Sequence, residues 1–159
     1  MTSTKNLGAI AVAVAVLLLG AALVTGRLAH SAPAKIAIIG ALVRLPVVPG
    51  RPAAGHFILN GGAKPDRLLS VAAPIARIEM HKTVMANGAM RMTPMEMVDV
   101  PAGKAIRFKP GGKHLMLFGL PASVKPGDEL TLTFTFEKAG AIPVTAVAQS
   151  ATDDSHAHH

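Results

Sequence analysis

The chain has 159 residues, which is enough for one domain but short for two. It carries 16 Lys and Arg against 9 Asp and Glu, a formal charge of +7, yet these charges are scattered and the aromatic residues are five Phe. Nucleic-acid binding normally needs a basic cluster and stacking aromatics, so the composition argues against it. The absence of cysteine excludes disulfides and thiolate ligands, leaving His, Met, Asp and Glu as metal donors.

An uncharged apolar segment of about 20 residues, Leu7 to Gly26, lies near the start of the sequence and follows Lys5. A positive charge before such a run is typical of a secretory signal or a membrane anchor. Small residues follow in "RLAHSAPA", as they do at cleavage sites, but no cysteine is present there for lipid attachment. We therefore expect residues 1–34 to be a signal peptide or membrane anchor, and the protein to be periplasmic or otherwise extracytoplasmic.

Short apolar or alternating runs, separated by turns rich in Gly and Pro, predict an all-β domain over residues 35–149. The runs are KIAIIGALVRLPV, GHFILN, RLLSVAAP, IARIEMHKTV, MRMTPMEMVDV, AIRFKP, HLMLFGL and ELTLTFTFEK. Strands at this spacing indicate an antiparallel sandwich or barrel. The run LTLTFTF alternates strictly and predicts four side chains that face one core: Leu130, Leu132, Phe134 and Phe136.

The segment EMHKTVMANGAMRMTPMEM contains Asn87-Gly88, a strong signal for a tight hairpin turn. With these two residues as the turn, Thr83 pairs with Met92 and His81 pairs with Pro94. His81 and Met92 then become diagonal neighbours on one face, within reach of long side chains. Since Pro94 cannot donate a backbone hydrogen bond, it predicts an edge strand or a bulge.

The six methionines of this segment divide between the two faces of the predicted hairpin. We expect three to pack in the core: Met80, Met95 and Met97. The other three share the face of the histidine: Met85, Met90 and Met92. For Met85 and Met90 we favour a role as hydrophobic cover, and a role as spare thioether ligands stays open.

A second pair of donors, His114 and Met116, lies two residues apart on a predicted strand and therefore projects from one face. An imidazole with a thioether suits Cu(I) and is poor for Mg, Ca or Zn, while a blue-copper centre would need a cysteine. Ordinary histidines beside a Met-rich core are the alternative. His30 and His56 stand without a partner motif, and we assign them no function.

The spacing of these donors resembles the H(M)X10MX21HXM signature of the PCuAC family of periplasmic copper chaperones. Met80 precedes His81, ten residues separate His81 from Met92, and twenty-one separate Met92 from His114. The flanking text VPAGKAIRFKPGGKHLMLFGL and KPGDELTLTFTFEKAG is also similar to that family, and the likeness covers roughly residues 35–147. Lys113 departs from the aromatic residue expected before the second histidine.

The resemblance implies a cupredoxin-like β-barrel or sandwich that binds one Cu(I) ion through four side chains: His81, Met92, His114 and Met116. It also implies delivery of copper to an acceptor protein, with the dinuclear copper centre of cytochrome c oxidase or a related assembly factor as the expected partner. A periplasmic copper buffer or resistance protein without specific handover is one alternative, and an interaction module without metal is another. No acid–base pair or nucleophile triad is apparent, so we do not expect an enzyme.

A polar tail, residues 150–159, holds three of the seven histidines: His156, His158 and His159. We expect it to be flexible. Imidazoles with Asp153 and Asp154 offer the nitrogen and oxygen donors that Cu(II) prefers, and some PCuAC members carry a His/Met-rich extension that binds Cu(II). The resemblance therefore implies a secondary Cu(II) site in the tail, with a solubilising terminus as the alternative.

Overall fold

The computed structural model describes residues 35–152, and within that range the chain forms ten β-strands and no helix. The strands are β1 (Ala37–Arg44), β2 (Ala53–Asn60), β3 (Asp66–Ala72), β4 (Arg77–Ala86), β5 (Ala89–Met95), β6 (Val98–Val100), β7 (Ala105–Phe108), β8 (Lys113–Phe118), β9 (Glu129–Phe136) and β10 (Gly140–Gln149). Nothing in this described range is a helix long and apolar enough to cross a membrane. The predicted signal or anchor, residues 1–34, and the tail histidines lie outside the described residues.

The ten strands form one sheet in the order β5-β4-β8-β7-β2-β1-β10-β9-β3-β6, and β8 also pairs directly with β2. Most neighbours are antiparallel, while β1 with β10 and β7 with β8 are parallel. A strongly twisted sheet of this many strands curls on itself, so its inner face can enclose a core. The predicted all-β antiparallel barrel or sandwich is confirmed.

The core lies on the inner face of this curled sheet. Four side chains of β9 are buried there as predicted, each at most 6% exposed: Leu130, Leu132, Phe134 and Phe136. Phe57 of β2 stacks on Phe108 with ring centroids 4.2 Å apart, and it meets Phe134 edge-to-face at 4.9 Å. These contacts fix β2, β7 and β9 against one another, so the outer face of the sheet rests on a packed interior.

Two elements differ from the sequence-based expectation. The sequence did not predict β10, because its small and polar residues and Pro143 do not form a strong apolar alternation. In the structure β10 pairs with β1 on one side and with β9 on the other. The run over residues 90–100, predicted as one strand, is two. β5 pairs with β4 and β6 pairs with β3, which stand at opposite ends of the strand order, so the chain must break between them.

The predicted hairpin is confirmed, with Asn87 and Gly88 at its turn. Their φ angles are 51° and 74°, and positive values at both central residues identify a type I′ turn, which matches the twist of the strands it joins. His81 pairs with Pro94 in the predicted register. Pro94 lies in β5, which is the edge strand at this end of the sheet, as its missing N–H requires.

The methionines follow the prediction with one exception. Met80 is buried and Met95 packs partly against the core, as expected. The placement of Met97 in the core is wrong, because its side chain is 47% exposed. Met97 follows the end of β5, where the strand alternation that supported the prediction no longer applies.

Candidate metal centre

The outer faces of β4, β5 and β8 bring the four predicted ligands together. His81 lies directly opposite His114 across β4 and β8, and Glu79 lies opposite Met116. Residues opposite one another in antiparallel strands project to the same side, so the two imidazoles and the Met116 thioether share a face. Met92 of β5 projects from that face as well, diagonal to His81. Residues far apart in the sequence thus meet at one place on the sheet.

The hydrogen bonding of His81 shows which of its ring nitrogens is free to bind a metal. Its Nε2 lies 2.9 Å from a carboxylate oxygen of Glu79. The hydrogen bond from His81, followed by that from Arg77, lowers the pKa of Glu79, so this carboxyl is ionised and can only accept. Nε2 therefore carries the proton. The other nitrogen, Nδ1, keeps its lone pair, is buried, and has no hydrogen-bond partner.

His114 has the complementary arrangement. Its Nδ1 lies 3.0 Å from the backbone carbonyl of Gly112, which can only accept, so Nδ1 carries the proton. Nε2 is left with a lone pair, buried and without a hydrogen-bond partner. The same carbonyl also accepts the N–H of Thr83 at 3.1 Å, which ties the turn before β8 to β4 and holds the ring in place.

The spacing of the two rings is compatible with a shared metal ion. The ring centroids of His81 and His114 are 6.1 Å apart and the ring planes differ by 34°, a separation that leaves room for one ion with metal–nitrogen bonds of about 2 Å. Each buried acceptor left unpaired costs about 1–3 kcal/mol, which coordination would remove. Carboxylate–histidine and carbonyl–histidine hydrogen bonds of this kind are the usual outer supports of metal-binding imidazoles.

Two thioethers, those of Met92 and Met116, lie on the same face as these nitrogens. Among residues 35–152, no group of three or more His, Cys, Asp or Glu is placed to hold a metal ion. The two thioethers differ in access: Met116 is half-buried beside the imidazoles, whereas Met92 is 61% exposed on the edge strand. The site therefore has a buried side, formed by the imidazoles and Met116, and an open side at Met92.

Met85 and Met90 also project from this face, and their role, as hydrophobic cover or as spare thioether ligands, stays a prediction. They lie directly opposite one another beside the hairpin turn. Their side chains are 69% and 65% exposed, so they shield little of the protein from water.

His56 of β2 is a third imidazole on this face, and the sequence analysis gave it no function. Gly55 pairs with Leu115 and Ala54 pairs with Met116, so His56 continues the row of histidines beside His114. It is 9% exposed, and burial, followed by the charges of Arg44 and His114, lowers its pKa to about 4. The side chain is therefore neutral at neutral pH. Only the pairing of β2 with β8 places it here, and no local motif signals that pairing.

The curled, predominantly antiparallel sheet is a cupredoxin-like fold, and one outer face of it presents two imidazoles with unpartnered nitrogens and two thioethers. Residues 36–148 match the family model described as "Putative lipoprotein LpqE-like". This match covers most of the chain, and the chain belongs to the LpqE-like family.

Solved structures with the same fold include domains of the family that the sequence resembles. The copper-bound PCuAC domain from PmoF2 is 23% identical, with a TM-score of 0.61, over 75% of this chain and 96% of that domain. The solution structure of CuI-DR1885 from Deinococcus radiodurans is 26% identical, with a TM-score of 0.57, over 76% of this chain and 81% of that one. The predicted likeness to PCuAC domains is confirmed at the level of the fold.

Two protein sequences are also similar over part of their length. "Putative lipoprotein Lxx21020" of Leifsonia xyli subsp. xyli is 32% identical over 76 residues, 47% of this chain and 46% of that protein. RP573 of Rickettsia prowazekii is 29% identical over 82 residues, 50% of this chain and 45% of that protein. The chain thus spans about half the length of the curated relatives it matches.

Proposed function

We propose that this protein is a copper chaperone that binds one Cu(I) ion and passes it to an extracytoplasmic acceptor. The ligands are four side chains: His81, Met92, His114 and Met116. The observation that carries the proposal is the pair of buried, unpartnered nitrogens, His81 Nδ1 and His114 Nε2, on adjacent strands. The copper-bound neighbours with the same fold support copper as the metal.

The donor set favours Cu(I) over the common alternatives. Thioethers are soft ligands that select Cu(I), whereas Zn sites draw on Cys, His and carboxylates. Hard cations such as Mg²⁺ and Ca²⁺ require oxygen ligands. The nearest carboxylate, Glu79, is already occupied by His81 and Arg77, so it serves as an outer partner and leaves the ion to nitrogen and sulfur.

The uneven access to the ligands supports handover to a partner. Met92 lies on an exposed edge strand, while His114 is buried. A donor from an acceptor protein can replace the Met92 sulfur first, while the imidazoles still hold the ion. Stepwise exchange of this kind avoids release of free copper.

The proposed acceptor is the dinuclear copper centre of cytochrome c oxidase, and a related assembly factor is the second choice. We propose that the protein binds and transfers copper without catalysing a reaction.

We also propose that the protein is exported or membrane-anchored. The LpqE-like family and the Leifsonia relative are described as lipoproteins, which supports an extracytoplasmic location. This sequence has no cysteine to carry such a lipid, so the apolar segment Leu7 to Gly26 would provide either the export signal or the anchor.

Anaerobic Cu(I) titration against a competing chelator tests the binding. We expect one tight equivalent, and we expect His114→Ala and Met116→Leu each to weaken it at least tenfold. Met97→Leu is the matched control, because Met97 is an exposed methionine that follows the end of β5. Unchanged affinity in both ligand variants, or equal competition by Zn(II), would overturn the assignment.

Transfer separates a chaperone from a copper buffer. The Cu(I)-loaded protein is mixed with an apo copper domain of the oxidase, and the metal content of both proteins is measured after separation. We expect copper to move to the acceptor faster than it moves to a small chelator of equal affinity. Equal rates would indicate a buffer or resistance protein without specific handover.

A further inference from the structure

The tip of the β4–β5 hairpin carries three exposed thioethers on the same face as His81. Met85 and Met90 lie directly opposite one another, and Met92 follows Met90 by two residues on β5. All three side chains are more than 60% exposed. Exposed apolar groups concentrated at one place on a small domain indicate an interaction with a ligand or partner.

The register brings these sulfurs within reach of one ion. Next to a two-residue turn, the pair Ala86–Ala89 is hydrogen-bonded, so the following pair, Met85–Met90, is not, and its Cα atoms lie about 4.5 Å apart. Pro94 agrees with this alternation of hydrogen-bonded and non-hydrogen-bonded pairs. It has no N–H to donate, and its pair with His81 is also a non-hydrogen-bonded one. The Cβ atoms of such a pair are about 4.5–5.5 Å apart, and methionine's flexible side chain can bring both sulfurs to one ion.

The positive side chains nearest the hairpin tip do not oppose a cation there. The positive side chains of the hairpin, Lys82 and Arg91, lie at positions that alternate to the reverse face. The metal-site face carries Thr83 beside the thioethers, and at the far end of β4 it carries the ionised Glu79, which is paired with Arg77. Because Met92 lies between the tip and His81 in the register, the methionine positions form a row from the turn to the imidazoles.

We propose that Met85, Met90 and Met92 form a second, outer Cu(I) site at the hairpin tip, from which Met92 carries the ion to His81 and His114. The direction of transfer rests on the proposed function of the inner site, whereas the outer site itself does not. It offers only exposed thioethers, without an imidazole, so we expect it to bind Cu(I) at least 100-fold more weakly than the inner site. A weak, open site suits uptake and exchange.

Methyl NMR of the full chain labelled with ¹³C-methyl-methionine tests this proposal, with Ag(I) as the probe because it is a redox-inert analogue of Cu(I). The first equivalent should shift the methyl signals of Met92 and Met116. The second should bind at Met85 and Met90, because Met92 is then held by the inner ion, and should shift the methyl signals of these two residues. These signals report the outer site directly, so ions taken up by the C-terminal histidines do not register.

A double variant and its control complete the experiment. Met85→Leu/Met90→Leu should keep the first-equivalent shift of Met116, slow loading from a Cu(I) donor at least fivefold, and keep the stability of the wild type. Met97→Leu should behave as the wild type. The proposal is overturned if the Met85 and Met90 methyls shift no more than that of Met97, or if loading of the double variant is as fast as that of the wild type.

The same spectra distinguish failure of the inner site from failure of the outer one. In His114→Ala, the Met116 shift should be lost at the first equivalent, while Met85, Met90 and Met92 shift together. If Met116 never responds in the wild type but the three tip methionines do, the inner site is wrong and the outer site stands. If only Met92 and Met116 respond, the outer site is wrong and the inner site stands.

Discussion

The imidazole of His81 donates a hydrogen bond from Nε2 to a carboxylate oxygen of Glu79 at 2.9 Å, two residues earlier on the same face of β4. Arg77 pairs with the same carboxylate and also lies over the Phe118 ring, 4.3 Å from its centroid. The carboxylate is thereby held between a guanidinium and an imidazole. It fixes the orientation of the ring and leaves Nδ1, the unpartnered nitrogen, to face the proposed metal.

Glu79→Gln should therefore weaken Cu(I) binding. The amide keeps an acceptor oxygen but loses the charge that favours a proton on Nε2, and its NH₂ group allows the opposite tautomer. Loss of such an outer partner typically lowers metal affinity about 10–100-fold, and we expect a value in that range. Competition with a Cu(I) chelator measures it. Glu96→Gln, at an exposed position after β5, is the control; equal affinity in the two variants would contradict the role of Glu79.

His56 should make the stability of the apo protein depend on pH. Its pKa is about 4 in the folded state against 6.5 for an ordinary histidine, so between these values the unfolded state binds more protons. Stability from this group is therefore complete above pH 6.5 and is lost as the pH falls towards 4. At pH 5 the loss amounts to about 2 kcal/mol, since each pKa unit corresponds to about 1.4 kcal/mol.

Urea denaturation of the apo protein at pH 7.5 and pH 5 measures this effect. Wild type should lose more free energy of unfolding than His56→Gln between the two pH values, by about 2 kcal/mol. Comparison of the two proteins removes the contribution of every other titrating group. Parallel losses in both proteins would show that the His56 imidazole is as easily protonated in the folded state as in the unfolded one.

Gly55→Ala should destabilise the protein beside the metal site. A Cβ at this position would lie 2.9 Å from the Cβ of Leu115, which is fully buried and packed in the core. We expect a loss of about 1–3 kcal/mol in the free energy of unfolding, typical of overpacking. Gly112→Ala is the matched control, since its nearest neighbour would be 3.5 Å away. Equal stability of the two variants would contradict the close approach of β2 and β8.

The C-terminal tail remains a prediction from the sequence. Deletion of residues 150–159 should abolish most Cu(II) binding and leave Cu(I) binding intact, because the tail supplies nitrogen and oxygen donors while the inner site supplies thioethers. Electron paramagnetic resonance follows the Cu(II) signal, and chelator competition follows Cu(I). An unchanged Cu(II) spectrum after the deletion would show that the tail is a solubilising terminus.

Features that arise from neighbouring residues could be predicted from the amino-acid sequence. Asn87 and Gly88 both accept positive φ, which specifies the turn, and the turn sets the register that places His81 diagonal to Met92. The alternation of β9 likewise fixes which side chains enter the core, because successive residues of a strand face opposite sides. The spacing of the donors predicted the proposed ligand set through a resemblance to a known family.

Which strands are neighbours in the sheet could not be predicted and is seen only in the folded chain. The pairing of β4 with β8 sets His81 opposite His114, and the pairing of β2 with β8 adds His56 to the same face. Such strand pairings depend on how the whole sheet buries the side chains of its inner face, so no local sequence motif predicts them. The prediction that Met97 packs in the core is wrong for the same reason. Strand alternation ends where β5 stops pairing with β4, and the next strand, β6, pairs with β3 at the far end of the sheet.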